Sequence, residues 1–323
     1  MSYLPAPGYM PTYNPPLPYS QPIPGGLRPG MSIYVQGTVP HHTKRFVVNL
    51  ACASHDGCDV ALHFNPRFDG KDKVVLNTFQ GGRWGKEEHQ SMPLKKGEHF
   101  EVVFIVSGDR YQIRVNGNHF CDYMHRIPPE RVMEVKADGD LQLQSMTLLG
   151  GGGMMGGGGY PQMGMPGMGP AAGGYPPSNL PMMTAPASYH PQVPYSGSFP
   201  GGLGSKRTVV VRGFLPQHAK QFRINFKAGP NETVLHINPR LNERAVVRNS
   251  YLGGRWGPEE REVQFNPFQA GQYFDLSIRC GNQQFKVFAN GQPFFNYKHR
   301  FHNFQQIDRL EIDGDVVLSY VQF

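Results

Sequence analysis

Two segments of this 323-residue chain lack every formal charge: residues 1–27 and residues 150–199 contain no Asp, Glu, Lys or Arg. The second segment holds 14 Gly, 9 Pro and 7 Met, and the first holds eight prolines and four tyrosines. A composition of this kind cannot bury a hydrophobic core. We therefore predict that residues 1–27 form a disordered tail and that residues 150–199 form a flexible linker.

Long apolar runs and a cysteine framework are also missing. No stretch approaches the roughly 18 apolar residues of a membrane helix, and the first residues lack the basic start and apolar block of a signal peptide. The four cysteines (Cys52, Cys58, Cys121 and Cys280) are widely spaced, and none forms a CxxC pair. We expect no transmembrane segment, no signal peptide, no metal site and synthesis in a reducing compartment.

The net charge of +7 belongs almost entirely to the second half of the chain. Residues 28–149 contain 15 basic and 14 acidic residues, whereas residues 200–323 contain 16 basic and 10 acidic residues. The basic residues are scattered singly, which favours a solvated strand surface over a phosphate-binding stripe. No nucleic-acid partner is expected, although a basic protein that binds RNA or an anionic surface remains the alternative function.

An internal repeat defines the organisation of the chain. The pentapeptide HFNPR at 63–67 recurs as HINPR at 236–240, and GGRWG at 81–85 recurs at 253–257. The pair Asn116-Gly117 has its counterpart in Asn290-Gly291. A repeat of more than about 100 residues indicates duplicated domains. We place the two domains at residues 28–149 and 200–323.

Within each unit the pattern predicts strands and no long helix. Runs rich in Val, Ile, Phe and Tyr are separated by Gly, Pro, Asn or Asp, and the two Asn-Gly pairs predict tight hairpin turns. The fold class is therefore all-β, a sandwich or barrel of antiparallel sheets. In the first unit the predicted strands are Ser32–Val39, Arg45–Ala51, Asp59–Phe64, Lys73–Thr78, His99–Ser107, Arg110–Val115 and Leu141–Leu149.

The repeated pentapeptide concentrates polar side chains on one face of a strand. Because alternate residues point to opposite faces, His63, Asn65 and Arg67 project to one side while Leu62 and Phe64 project to the other. The second copy repeats the order with His236, Asn238 and Arg240. An ordinary solvent face would not require this order twice, so we interpret these residues as part of a site.

A tryptophan follows each of these strands inside a glycine-flanked loop. Such a ring is poorly placed for a core and presents a flat apolar surface to solvent, with donors and acceptors around it. A hexose needs this combination, because it has an apolar C–H face and a rim of hydroxyls. The residues concerned are Asn77, Trp84 and Glu87 in the first unit and Asn249, Trp256 and Glu259 in the second.

Together these motifs resemble the galectin signature, and their occurrence twice around a Gly/Pro-rich linker resembles a tandem-repeat galectin. The resemblance implies two jelly-roll-like antiparallel β-sandwich domains. It also implies a lectin that binds β-galactosides such as lactose or N-acetyllactosamine without a metal or other cofactor, and that crosslinks glycoproteins or glycolipids. The family is made in the cytoplasm and exported without a signal peptide to the extracellular space and cell surface. The basic second domain adds sulfated or other anionic glycans to the expected ligands.

The resemblance also implies a role for each site residue. The axial 4-hydroxyl of galactose would contact His63, Asn65 and Arg67 in the first domain and His236, Asn238 and Arg240 in the second. The 6-hydroxyl would contact Asn77 and Glu87, or Asn249 and Glu259, the sugar would stack on Trp84 or Trp256, and Arg261 would contact the neighbouring sugar. The first domain departs from the pattern, since His89 stands where an Arg is expected. We expect weaker lactose binding there, unless His89 faces solvent and Lys86 substitutes for it.

A glycosidase is the enzymatic alternative. It would need two carboxylates about 5 to 10 Å apart, one of them kept protonated. The signature supplies one Glu flanked by Arg, and this environment lowers a carboxyl pKa. We therefore predict that the protein is not an enzyme.

Overall fold

A computed structural model describes residues 9–150 and 187–323, whose strands fall into two groups that match the two repeat units. The first group is β1 (Tyr9–Tyr13), β2 (Tyr19–Pro22), β3 (Ser32–Thr38), β4 (Phe46–Ala51), β5 (Val60–Arg67), β6 (Lys73–Gln80), β7 (Arg83–Trp84), β8 (Glu88–Ser91), β9 (His99–Val106), β10 (Arg110–Val115), β11 (Asn118–Met124), β12 (Glu134–Gly139) and β13 (Gln142–Leu149). The second group is β14 (Ser188–Tyr189), β15 (Tyr195–Ser198), β16 (Thr208–Phe214), β17 (Phe222–Ala228), β18 (Glu232–Arg240), β19 (Ala245–Leu252), β20 (Arg255–Trp256), β21 (Tyr273–Cys280), β22 (Gln284–Ala289), β23 (Gln292–Lys298), β24 (Ile307–Gly314) and β25 (Val317–Gln322).

Helix is confined to two single 3₁₀ turns among these residues, at Pro129–Arg131 and Phe304–Gln306. Across the described part of the chain, no helix has the length and apolar character needed to cross a membrane.

Each unit is a sandwich of two antiparallel sheets. In the first domain one sheet has the order β1-β13-β3-β9-β10-β11, and the other has the order β2-β12-β4-β5-β6-β7, with β8 also paired to β6. In the second domain the orders are β14-β25-β16-β21-β22-β23 and β15-β24-β17-β18-β19-β20. We call the sheet that contains the repeated pentapeptide, on β5 or β18, the motif sheet and its partner the back sheet. The predicted all-β fold with two sandwich domains is confirmed.

The core of each domain lies between its two sheets. Leu62 and Phe64 of β5 are fully buried there, which is the face that the alternation predicts. Aromatic rings join the sheets, since Phe46 stacks on Phe100 with centroids 5.5 Å apart. Burial of each such side chain stabilises the fold by about 1.5 to 3 kcal/mol. The core therefore holds one face of the pentapeptide strand, and this fixes the positions of the polar side chains on the opposite face.

The two Asn-Gly pairs form the predicted hairpin turns. Asn116 and Gly117 have φ of 49° and 80°, and Asn290 and Gly291 have φ of 48° and 74°. Both central residues therefore adopt the left-handed conformation that a two-residue hairpin of this kind requires.

The structure corrects the prediction of a disordered tail over residues 9–27. β1 pairs with β13 at the edge of the back sheet, and β2 pairs with β12 at the edge of the motif sheet. Composition did not reveal these strands, because an edge strand needs few apolar residues and tolerates proline, as at Pro11 and Pro22. Residues 1–8 lie outside the described part of the chain.

The predicted boundary of the second domain is also too late. β14 pairs with β25 and β15 pairs with β24, so ordered strands precede residue 200. Phe199 is buried, with its ring centroid 4.7 Å from that of Phe323. Residues 151–186 lie outside the described part of the chain, so the flexible linker stays a prediction there.

Candidate functional site

The predicted site residues come together on the outer face of each motif sheet. In the second domain all of them except Arg261 border a cavity of about 450 Å³. Its lining contains His236, Asn238, Arg240, Asn249, Trp256 and Glu259, together with Arg223. The first domain brings together the equivalent side chains of His63, Asn65, Arg67, Asn77, Trp84, Glu87 and His89 through the contacts described below. Two strands, a hairpin turn and the segment after it thus supply each site.

The tryptophan of each site is an exposed apolar surface. Trp256 is 51% exposed, and its ring centroid lies 4.9 Å from that of His236. The turn Gly253-Gly254 has φ of 58° and 77°, which glycine adopts without steric cost, and it returns the chain so that Trp256 pairs with Tyr251. Trp84 of the first domain is also 51% exposed. Each motif sheet therefore presents one flat ring to solvent beside polar side chains.

The histidine of each site is a neutral hydrogen-bond acceptor. His236 Nδ1 lies 2.6 Å from the amide oxygen of Asn225, so Nδ1 carries the proton and Nε2 is left as the acceptor. Burial, reinforced by neighbouring arginines, lowers the pKa of His236 from 6.5 to about 4. His63 repeats this arrangement with Asn49 at 2.7 Å and a pKa of about 4. Both imidazoles are therefore uncharged at neutral pH.

The asparagine and arginine of each pentapeptide hold each other in place. Asn238 donates through Nδ2 to the Phe222 carbonyl at 2.7 Å, and its Oδ1 accepts from Arg240 Nε at 2.8 Å. Arg240 Nη2 then lies 3.3 Å from Glu259 Oε1. In the first domain the corresponding bonds join Asn65 to Phe46 at 2.7 Å, Arg67 to Asn65 at 2.7 Å and Arg67 to Glu87 at 3.4 Å. The guanidinium is preorganised to donate from a fixed position.

The second asparagine of each site is almost saturated by the protein. Asn249 donates through Nδ2 to the Gly257 carbonyl at 2.8 Å, and its Oδ1 accepts from the Ser250 amide and from Arg300 Nη1. Asn77 makes the same set of bonds with Gly85, Thr78 and Arg126. One amide hydrogen on each remains for a ligand, so this residue can act only as a donor.

The charged rim differs between the two domains. In the second domain Arg261 donates to Glu259 at 2.8 Å and to Glu243 at 2.9 Å, and Arg240 contacts both of these carboxylates at 3.3 Å. Two arginines and two glutamates therefore form a closed ring. The Arg261 hydrogen bond is the main cause that lowers the pKa of Glu259.

In the first domain the rim is an open chain. Glu87 lies 2.7 Å from His89 Nε2 and 3.4 Å from Arg67, and the hydrogen bond from His89 is the main cause that lowers the pKa of Glu87. In the loop that corresponds to that of Glu243, Asp69 is paired with Arg45 at 2.9 Å instead. His89 is 49% exposed but contacts Glu87 directly, so the alternative in which it merely faces solvent is not what the structure contains.

The sequence did not reveal three residues that hold the site side chains in place. Asn225 fixes the tautomer of His236, Glu243 closes the charged ring, and Arg300 orients Asn249. The repetition of His-Arg at 125–126 and 299–300 carried a signal for the last of these. Glu243 carried none, because its loop differs in length between the copies. In the described residues no group of three or more His, Cys, Asp or Glu side chains could hold a metal ion.

Comparisons with known proteins identify the family to which the chain belongs. The sequence model of the family described as Galactoside-binding lectin matches residues 18–148 and 194–323. The chain is 54% identical to Galectin-4 of Homo sapiens over the full length of both proteins. It is 35% identical to Galectin-8 of Rattus norvegicus and 35% identical to a 32 kDa beta-galactoside-binding lectin of Haemonchus contortus, each over 96% of both chains. The protein belongs to the galactoside-binding lectin family, the galectins, and carries the lectin domain twice.

The neutral state of His236 gives the first prediction. The pKa of His236 is about 4 in the folded protein and about 6.5 in the unfolded chain. The neutral His236 ring therefore makes its full contribution to the free energy of unfolding above pH 6.5, and this contribution is lost as the pH falls to about 4. In a Trp84→Ala chain, lactose affinity of the second site should stay constant from about pH 7.5 to 5.5 and decrease near pH 4. NMR titration of the His236 ring, alongside calorimetry, checks this. A midpoint near 6.5 for the ring or for binding would contradict it.

The open rim of the first domain gives the second prediction. In a Trp256→Ala chain, His89→Arg should raise lactose affinity by about five- to thirtyfold, because one charge-assisted hydrogen bond contributes about 1 to 2 kcal/mol. His119→Arg is the matched control, since His119 also pairs with a carboxylate, Asp122 at 3.0 Å, but on the back sheet. Equal affinities for the parent, His89→Arg and His119→Arg chains in calorimetry would show that position 89 has no role in binding.

Proposed function

We propose that this protein is a bivalent lectin that binds β-galactosides, such as lactose and N-acetyllactosamine units, and crosslinks the glycoproteins or glycolipids that carry them. The observation that carries the proposal is the duplicated juxtaposition of a half-exposed Trp ring with a neutral His acceptor and a fixed Arg donor. This combination complements a sugar, which has one apolar face and hydroxyls that both donate and accept. Its occurrence in both domains supports bivalence.

The axial 4-hydroxyl of galactose is assigned to the pentapeptide side chains. The hydroxyl donates its proton to His236 Nε2 and accepts from the Arg240 guanidinium, whose orientation Asn238 maintains. This pairing uses the donor and one acceptor site of the hydroxyl. An equatorial hydroxyl would leave His236 Nε2 without a donor and Arg240 with only its protein partners. His63, Asn65 and Arg67 have the same roles in the first domain.

The remaining contacts are assigned to the turn and the segment after it. Trp256 stacks on the apolar face of the sugar, Asn249 donates its one remaining amide hydrogen to the 6-hydroxyl, and Glu259 accepts from that hydroxyl. Arg261 reaches the adjoining sugar while it stays paired with Glu259. Trp84, Asn77 and Glu87 correspond to these residues in the first domain, where His89 takes the position of Arg261.

The carboxylates of each site favour binding over hydrolysis. A glycosidase needs one carboxyl whose pKa is raised, so that it can donate a proton. His89 and Arg261 instead lower the pKa values of Glu87 and Glu259. The adjacent Glu88 and Glu260 are each ion-paired with an arginine, at 2.6 and 2.9 Å. We therefore assign no catalytic activity to these groups.

The proposed setting is the cell surface. A crosslinking lectin meets its glycans outside the cell, so we propose export without a signal peptide, as the family resemblance implies. The excess of 16 basic over 10 acidic residues in residues 200–323 adds sulfated or other anionic glycans to the proposed ligands of the second domain.

Tryptophan variants of the full chain test this function. Trp84→Ala and Trp256→Ala should each remove one site and preserve the fold, because both rings are half exposed. Loss of stacking costs about 1 to 3 kcal/mol, by analogy with stacking of bases on aromatic side chains, which is enough to remove a weak site. Calorimetry with lactose should find two sites in the wild type, one in each single variant and none in the double variant.

Agglutination of glycan-bearing cells should accompany the two-site protein only, because crosslinking needs both sites. Met124→Ala is the control, since its side chain is also 51% exposed but lies on β11, the outermost strand of the back sheet. Two sites in a folded double variant would contradict the assignment of the tryptophans. Agglutination by either single variant at the wild-type level would contradict the bivalent mechanism.

A further inference from the structure

A third apolar cluster lies outside both sandwich cores and joins the two domains. It contains Tyr9, Tyr34, Val103 and Leu149 of the first domain and Val210 and Tyr320 of the second. All of these residues are on the back sheets. The back sheets therefore pack against each other, and the motif sheets form the two outer faces of the pair.

The burial of this cluster cannot come from either domain alone. Val103 lies between Val102 and Phe104, which point into the core of the first domain, so its own side chain points away from that core. It is nevertheless only 1% exposed. Val210 of the second domain is fully buried in the same manner. An outer-face valine in an isolated sandwich would be in contact with water.

A charged residue of the second domain occupies the centre of this contact. Arg212 is fully buried, and its Nη2 donates to Gln36 Oε1 at 2.8 Å and to Ser145 Oγ at 3.3 Å across the interface. Its Nε lies 3.3 Å from Asp275, and its guanidinium carbon lies 5.1 Å from the Tyr34 ring centroid. A buried arginine needs such partners, since an unpaired buried charge is strongly destabilising.

The N-terminal strand β1 extends the contact. The Tyr9 hydroxyl donates to Asp275, and the Tyr9 ring stacks on Tyr320 with centroids 6.4 Å apart. At the rim, Gln144 donates to the Tyr273 carbonyl at 3.4 Å, and the Tyr273 hydroxyl lies 3.4 Å from Asn116 Oδ1. The segment that composition predicts as a tail thus contributes to the interface.

The two surfaces differ at equivalent positions in a way that favours unlike pairing. Gln36 pairs with Glu101 in its sheet, and Arg212 holds the same place beside Asp275. Two second domains would bring Arg212 against its own copy, and buried like charges penalise that arrangement. The first domain instead presents the uncharged acceptors Gln36 Oε1 and Ser145 Oγ to Arg212. A first domain and a second domain fit each other instead.

We propose that the two domains dock through their back sheets around Arg212, and that this docking holds the two sugar sites on opposite outer faces. The docking of the domains does not depend on the proposed function. Its consequence for crosslinking rests on the proposed lectin function. Sites that face opposite directions bridge two separate glycan-bearing surfaces. Independently moving domains on a flexible tether would also bind two glycans of the same surface.

Small-angle X-ray scattering of the full chain without sugar tests the docking. Arg212→Glu and, in a separate chain, Val103→Glu should separate the domains and raise the radius of gyration by about a quarter or more, because each change buries an uncompensated carboxylate in the interface. Lys298→Glu is the control, since it makes the same charge change as Arg212→Glu but at an exposed position of the back sheet. Its scattering should match that of the wild type.

The function of each domain reports its folding in the same samples. Arg212 and Val103 lie outside the sandwich cores, so both variants should retain two lactose sites in calorimetry. Clustering of vesicles that carry a lactosyl lipid should decrease severalfold in both variants, while the amount of protein bound to the vesicles stays the same. Lys298→Glu should cluster vesicles as the wild type does.

The outcomes separate the two proposals. A wild-type radius equal to that of both variants, with lactose sites intact, would overturn the docking and leave the lectin function in place. Undocked variants that cluster vesicles at the wild-type level would overturn the inferred advantage of opposed sites. Absence of lactose binding in a wild-type chain that scatters as a docked pair would instead overturn the proposed function.

Discussion

The strict alternation of side chains along β5 and β18 is the constraint on which both sites depend. Leu62 and Phe64 are held in the core between two sheets, and this burial forces His63 and its polar neighbours to the opposite face. A shift of one residue would expose the apolar side chains and bury the charged ones. The free energy that packs the sandwich therefore also positions the groups proposed to bind sugar.

Hydrogen bonds within each site convert this placement into chemistry. Asn225 fixes the proton of His236 on Nδ1, and Asn238 fixes the plane of the Arg240 guanidinium. His236 is therefore fixed as an acceptor through Nε2, and Arg240 as a donor, before a ligand binds. Preorganisation of this kind reduces the conformational entropy lost on binding. In the proposed complex, the exposed Trp256 ring supplies the apolar part of the contact.

The sequence predicts the all-β fold, the duplication and the pentapeptide face, because each leaves a local pattern. It does not predict β1 or β15, since edge strands need few apolar residues and their proline-rich composition favours disorder. Glu243 is equally hidden, because it reaches Arg261 only through the folded path of its loop. The buried position of Arg212 cannot be predicted either, since an arginine on an outer strand face is ordinarily solvated. The missed features all arise from contacts between distant segments.

The central claim is that the His-Asn-Arg face selects the axial 4-hydroxyl of galactose. Lactose and cellobiose differ only in the configuration at C4 of the terminal sugar, so calorimetric titration of the full chain with each disaccharide isolates this contact. We expect two lactose sites and at least about a hundredfold weaker binding of cellobiose, because an equatorial hydroxyl leaves His236 Nε2 without a donor and removes the ligand acceptor of Arg240. Equal affinity for the two disaccharides would contradict it.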